Sequence, residues 1–264
     1  MSFVPLFLAL SPAALAQEAP AASGAEPVHR TLPASMPALS VRGDRGDVRV
    51  RVDPTATRSE VVATPLSWED DCQVVFSGDS ARAVVSFGPA VDGFLASTCE
   101  ASVEIVLAGD TAVDLELARG AVTLTGALPP ITVDLGRGEV VLEDAQALLE
   151  LRVGRGRITG SAAGEGLAAQ VKVGRVRLEA LKAPVDVQVG LGGARLSYAA
   201  VFDGSVVAHT KLGRVQLFFP YGAWLDADLD AGLGWVRSDI PSNGDAMTHL
   251  EASSGLGSVG VGTL

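Results

Sequence analysis

The sequence predicts an all-β chain: a right-handed β-solenoid of the single-stranded, β-helix-like kind, preceded by an irregular N-terminal β cap. Three observations predict it. Gly120, Gly138, Gly156, Gly174 and Gly192 recur at a strict spacing of 18, and Gly213, Gly234 and Gly257 continue at 21, 21 and 23. Two residues after these glycines stand Val122, Val140, Ile158, Val176, Ala194, Val215, Val236 and Val259; five residues before stand Leu115, Val133, Leu151, Ala169, Val187, Ala208, Leu229 and Ala252. All sixteen are apolar. With 30 Gly in 264 residues and only 5% aromatic side chains, the composition suits thin stacked rungs better than a wide core. Such a period means copies of one small unit, each burying its apolar side against its neighbours.

Along the chain, residues 1–16 read as an export signal: an apolar run from Phe3 to Leu10, then Ala14, Leu15 and Ala16 as a small-residue cleavage site. No Cys follows that site, so a lipid anchor is not expected, and no other stretch approaches the ~20 apolar residues of a membrane-spanning helix. Residues 17–40, rich in Ala, Pro and Ser, read as an extended linker with His29 solvated.

Residues 41–112 form the expected cap. The run 41–52 alternates apolar and charged residues around Gly46 and Val48, which match the later unit. Further strands are expected at 60–63, 73–76, 83–87 and 102–107. Cys72 and Cys99 are the two cysteines. Export permits them to pair, and closing that loop would stabilise the chain by roughly 3–4 kcal/mol in the chain-entropy model. Glu69, Asp70 and Asp71 beside Cys72 read as a turn.

From residue 113 to 264 each unit has the form strand, Gly turn, strand. In residues 131–142, alternation places Ile131, Val133 and Leu135 inside, Thr132 and Asp134 outside, and a turn at Gly136-Arg137-Gly138. A left-handed β-helix would need its hexapeptide pattern, and a calcium β-roll would need Asp in every Gly-rich turn. Neither pattern is present.

These features resemble the bacterial "putative adhesin" domain family of unknown function. The resemblance rests on the alternation around Gly-x-Gly-x-Val, the N-terminal Gly46-Asp47-Val48 strand and the closing Ser253-Ser254-Gly255-Leu256-Gly257-Ser258-Val259. It covers residues 40–264 and implies a β-solenoid that is exported or envelope-associated. It implies no catalytic residues.

Outward columns are where ligands would meet such a stack. The chain carries a net charge of −11, which disfavours nucleic acid. Residues 137–237 nevertheless hold 12 Lys and Arg against 11 Asp and Glu. Arg155, Arg157, Arg175, Arg177, Arg195 and Arg214 cluster around the glycines. The functional reading is a docking face for an anionic polymer, since the guanidinium fork pairs with carboxylate or phosphate. The plainer reading is a solvated face paired with Glu139, Asp134 or Glu179. Tyr198, Phe219, Tyr221 and Trp224 are the aromatic candidates for sugar stacking, or else fill a wider corner. Tyr198 and Phe219 both lie six residues past their glycines and should stack on adjacent coils.

Asp226, Asp228 and Asp230 alternate on one strand, with His209 expected beside Asp230 on the neighbouring coil. They are the candidates for acid–base chemistry, in an arrangement more typical of a soluble edge. His249 has no evident partner. The expectation is therefore an exported, non-enzymatic adhesin-like protein of the periplasm or cell surface, without cofactor, metal, nucleic acid or transmembrane segment. Its partners would be envelope polysaccharide, another anionic polymer or an envelope protein. A polysaccharide-active β-helix enzyme and a protein scaffold using the solenoid ends are the alternatives.

Overall fold

Alternating sequence becomes extended chain throughout the computed structural model, which describes residues 26–33, 35–67, 72–79, 81–89 and 99–264. The export signal and the acidic run 69–71 lie outside those residues. The strands are β1 (Val28–Pro33), β2 (Ala38–Val52), β3 (Arg58–Ser67), β4 (Cys72–Gly78), β5 (Arg82–Pro89), β6 (Glu100–Leu107), β7 (Ala112–Ala127), β8 (Ile131–Gln146), β9 (Leu148–Ala162), β10 (Gly166–Leu181), β11 (Val185–Tyr198), β12 (Gly204–Phe219), β13 (Leu225–Ser238) and β14 (Thr248–Thr263). There is no helix among the described residues. All the strands belong to one sheet.

The repeat is a parallel stack. β2, β7, β8, β9, β10, β11 and β12 pair in sequence with glycine on glycine: Gly46 with Gly120, Gly120 with Gly138, and so on to Gly192 with Gly213. Each strand bends at its glycine without ending. Gly138 shows why no other residue serves. Its φ is 147°, and a Cβ there would lie 1.7 Å from the carbonyl oxygen of Gly120. The corner backbones therefore touch rung to rung, and only a residue without a side chain lets them do so. The inner columns close the core: Leu115, Val133, Leu151 and Val187 on one arm, Val122, Val140, Ile158 and Val215 on the other, are all fully buried.

The N-terminal end is built differently. Beyond β2 the next layer is split, with β5 parallel to residues 38–43 and β6 parallel to residues 45–52. From there the pairing turns antiparallel: β3 on β6, β1 on β3, and β4 on β5. The four expected strands between 60 and 107 fall inside β3, β4, β5 and β6. The Cys72–Cys99 disulfide joins the start of β4 to the residue before β6.

Two expectations need correction. The stretch read as linker contains β1 and the start of β2. Val28 and Leu32 are half-buried against β3, opposite Ala63 and Ser59, and backbone pairing orders a segment whose composition reads as mobile. At the far end the rungs do not follow chain order: β14 lies between β12 and β13. The inner residues Leu250, Ala252, Val259 and Val261 of β14 are buried, whereas Ala227, Leu229 and Val236 of β13 stay partly open. The better-burying rung takes the interior place, and β13 is left as the edge.

Candidate functional site

Around each glycine the strict in–out alternation fails, and that failure builds the surface. In β10, Val171 points in, Lys172 and Val173 both point out, Gly174 turns the chain, Arg175 points out and Val176 points in. A rung thus presents two adjacent residues on the outer side of its corner and a third just past it. Stacked at about 4.8 Å, these positions form columns along the axis.

Just past the corner, the column runs Glu139, Arg157, Arg175, Gly193, Arg214, Ser258 through consecutive rungs. Where Gly193 replaces a side chain, the surface sinks into a groove of about 590 Å³ floored by Gly192, Gly193 and Ala194. Arg175, Arg177, Arg195 and Arg214 line it, with Gln216 and Ser258, and no carboxylate does. Arg177 donates from Nε and Nη2 to Oε1 of Glu179 at 3.0 and 2.8 Å. Arg214 Nε donates to Ser258 Oγ at 3.2 Å, and the Arg195 guanidinium lies 4.7 Å from the centre of the Phe218 ring. These contacts hold three of the four guanidinium groups apart, and of the three only Arg177 is paired with a carboxylate.

Arg157 and Arg155 stand apart from this group. Arg157 Nη2 donates to Glu139 Oε2 at 2.6 Å, and Thr159 donates to the other carboxylate oxygen at 3.1 Å. The hydrogen bond from Arg157, against a smaller cost of burial, holds the Glu139 carboxyl below its ordinary range. Arg155 is exposed on the corner itself. The plainer reading of the strip, pairing with Glu139 and Glu179, thus holds for Arg157 and Arg177 and not for Arg175.

The aromatic set divides. Tyr198 and Phe219 do stack on adjacent rungs, with ring centres 4.8 Å apart and planes within 5°. Both are fully buried, so neither offers a face to sugar. The in–out parity foretold this, since Ala194, Leu196 and Tyr198 alternate on the inner side. Among the described residues the Tyr198 hydroxyl has no hydrogen-bond partner, and burial pushes its ionisation upward. Tyr221 and Trp224 are exposed, at 93% and 59%, and lie outside the lining of the Arg groove.

The acid–base candidates also separate. β14 places Ser253 between His209 and Asp230, so those two are not on neighbouring rungs. His209 Nδ1 lies 2.7 Å from Ser253 Oγ, and His249 Nδ1, without an evident partner in the sequence, lies 2.9 Å from Asp226 Oδ2. Among the described residues no three or more His, Cys, Asp or Glu side chains gather as a metal site, and no helix is long and apolar enough to cross a membrane.

Sequence reasoning missed two features. One is the Gly193 gap, signalled by a glycine between Arg175 and Arg214 in the column just past the corner. The other is a second groove of about 590 Å³ on the opposite side of the corner, lined by Lys172, Lys211, Gln170, Gln188, His209 and Ser253 around Gly190. Lys172 and Lys211 share a column, two residues before their glycines.

No protein-family model matches the sequence, and no curated protein matches it. Among solved structures, the chain is similar to a putative adhesin from Bacteroides fragilis (10% identity, TM-score 0.42, 90% of this chain and 98% of that one). It is also similar to a putative adhesin from Parabacteroides merdae (12% identity, TM-score 0.39, 89% and 96%). A third is a putative cell adhesion protein from Clostridium sporogenes (10% identity, TM-score 0.28, 90% and 100%). Matches this distant say nothing of a ligand.

Proposed function

We propose that this chain is an exported, non-enzymatic binding protein of the cell envelope that docks an anionic polymer on its Arg face. On this reading the parallel stack is a right-handed solenoid and the antiparallel strands β1, β3 and β4 cap it. The groove of Arg175, Arg177, Arg195 and Arg214, free of lining carboxylates, carries the reading. In a chain of net charge −11, clustered guanidinium groups attract polyanions that the rest of the surface repels. The groove is open and shallow-floored, so affinity would come from repeated bidentate contacts along a chain of carboxylates, sulfates or phosphates. Of the four aromatic candidates, any stacking of sugar rings falls to Tyr221 and Trp224, since Tyr198 and Phe219 are buried.

A protein-scaffold reading is favoured by one separate observation: β13 ends the stack with Val236 43% exposed, where the same column is buried in every inner rung. A partner strand there would complete the core.

The test is binding of the mature protein, residues 17–264, to polygalacturonate across a salt series, beside an Arg175→Glu/Arg195→Glu/Arg214→Glu variant. Salt-sensitive binding that falls at least about tenfold in the variant is the expected result. Equal binding in both proteins would remove the Arg face from the reading.

A further inference from the structure

The ridge between the two grooves changes character along the stack. The residue just before each glycine is Arg45, Arg119, Arg137 and Arg155 in β2, β7, β8 and β9. In β10, β11, β12, β14 and β13 it becomes Val173, Leu191, Leu212, Leu256 and Leu233. These five aliphatic side chains stand on adjacent rungs in one line, 37%, 45%, 41%, 47% and 70% exposed. At about 4.8 Å per rung the line is about 19 Å long. Solvated corners have no use for it, since the same backbone accepts Arg four times in the other half.

What flanks the ridge decides its occupant. Lys172 and Lys211 stand on one side, Arg175 and Arg214 on the other, with Arg177 and Arg195 one position further out. From four residues before the glycine to three after it, β10, β11, β12 and β14 contain no Asp or Glu. Carboxylates stand at its margin: Glu179, paired with Arg177; Glu251, 3.5 Å from His209 Nε2; Asp186 and Asp228 in the column of Glu251; and Asp230 on the edge rung β13. Trp235 follows Leu233 on the outermost rung and is 54% exposed.

A straight convex apolar line bordered on both sides by long cationic side chains matches a planar surface with negative charge above an apolar layer. We propose that this corner ridge docks on a bilayer bearing anionic phospholipids, with Leu191, Leu212 and Leu256 entering the headgroup–acyl boundary and the flanking Lys and Arg meeting the phosphates. Apolar area and electrostatic attraction add in such binding. The cationic stems reach upward from the ridge to the headgroups while lying along it, and Trp235 suits the same interface. The proposal rests on the Arg face as an anion-binding surface and names the lipid headgroup as its anion.

The experiment compares three proteins on two probes: phosphatidylcholine vesicles with and without phosphatidylglycerol, and polygalacturonate. The proteins are the parent, the Arg-face triple Glu variant, and Leu191→Ser/Leu212→Ser/Leu256→Ser. Expected is parent binding only to the phosphatidylglycerol vesicles, reduced about tenfold or more in the Leu variant with polygalacturonate binding unchanged. Vesicle binding that survives in the Leu variant overturns the ridge and leaves the polymer reading standing. Ridge-dependent vesicle binding without polygalacturonate binding does the reverse. A Leu212→Cys protein carrying an environment-sensitive fluorophore gives an answer independent of the triple variant's folding. Its emission should shift to the blue on phosphatidylglycerol vesicles and be quenched by brominated acyl chains; an unshifted, unquenched label would overturn the proposal.

Discussion

The two halves of the parallel stack share one backbone and differ at one outward position. In β2 and β7–β9 the corner residue is Arg, and in β10–β14 it is Val or Leu, yet glycine pairs with glycine in both halves. The inner columns are also alike, with Leu115 and Val140 as buried as Val187 and Val215. Folding therefore makes its demands at the glycine and the inner columns and none at the corner. In the first half Asp47 and Glu139 stand just past the Arg ridge and mix its charge, while from four residues before the glycine to three after it β10, β11, β12 and β14 carry no carboxylate. Where the backbone is indifferent, a coordinated change over five rungs reflects what the surface meets.

The comparison breaks most severely if the glycine line is disturbed. Gly138→Ala places a methyl group against the Gly120 carbonyl, backbone against backbone, with φ at 147°. Neither neighbour can yield without moving its whole rung, so the expected outcome is loss of the cooperative unfolding transition in urea. A transition kept at the parent midpoint would mean that the corners do not touch as described.

A finer separation comes from two leucines. Leu135 lies in an inner column, fully buried, and Leu191 lies on the corner, about half exposed. Leu135→Ala should cost about 2–5 kcal/mol in urea unfolding, as a cavity in a narrow core does. Leu191→Ala should stay within about 0.5 kcal/mol, as surface changes do. Similar costs for both would make the aliphatic ridge a piece of core and remove the contrast between the halves.

Much of this was legible in the sequence, because a period-18 glycine and strict alternation both report backbone geometry. The inner columns were read correctly except in β13, whose Val236 lies open because no rung covers it. The stacking of Tyr198 on Phe219 was legible for the same reason, and the pairing of Cys72 with Cys99 because the chain has two cysteines and an export signal permits them to pair. The corner ridge was not. Alternation assigns one residue in two to the inside, but at the corner Lys172 and Val173 both face out, so an aliphatic residue before glycine reads as buried. The place of β14 was illegible for another reason: chain order says nothing when two successive rungs compete for one neighbour. β1 was hidden because a strand that joins an existing sheet edge needs little apolar content of its own.

The smallest effect lies at the boundary between the halves, where Glu139 holds Arg157. The Glu139 carboxyl is depressed from an ordinary value of 4.5, chiefly by the Arg157 hydrogen bond. A group of this sign stabilises the fold above its unfolded-state value, and the contribution is lost as pH falls through the lower folded-state value. Glu139→Gln should therefore lower thermal stability slightly at neutral pH and flatten the loss of stability below about pH 4.5, both effects weakening in salt. The same variant frees Arg157 to join Arg175 in the column past the corner, extending the cationic half by one rung. Polygalacturonate binding should then rise a few-fold at low salt. Unchanged binding with the expected pH profile would show that the Arg face ends at Arg175, with its boundary between β9 and β10, where the corner residue also changes from Arg155 to Val173.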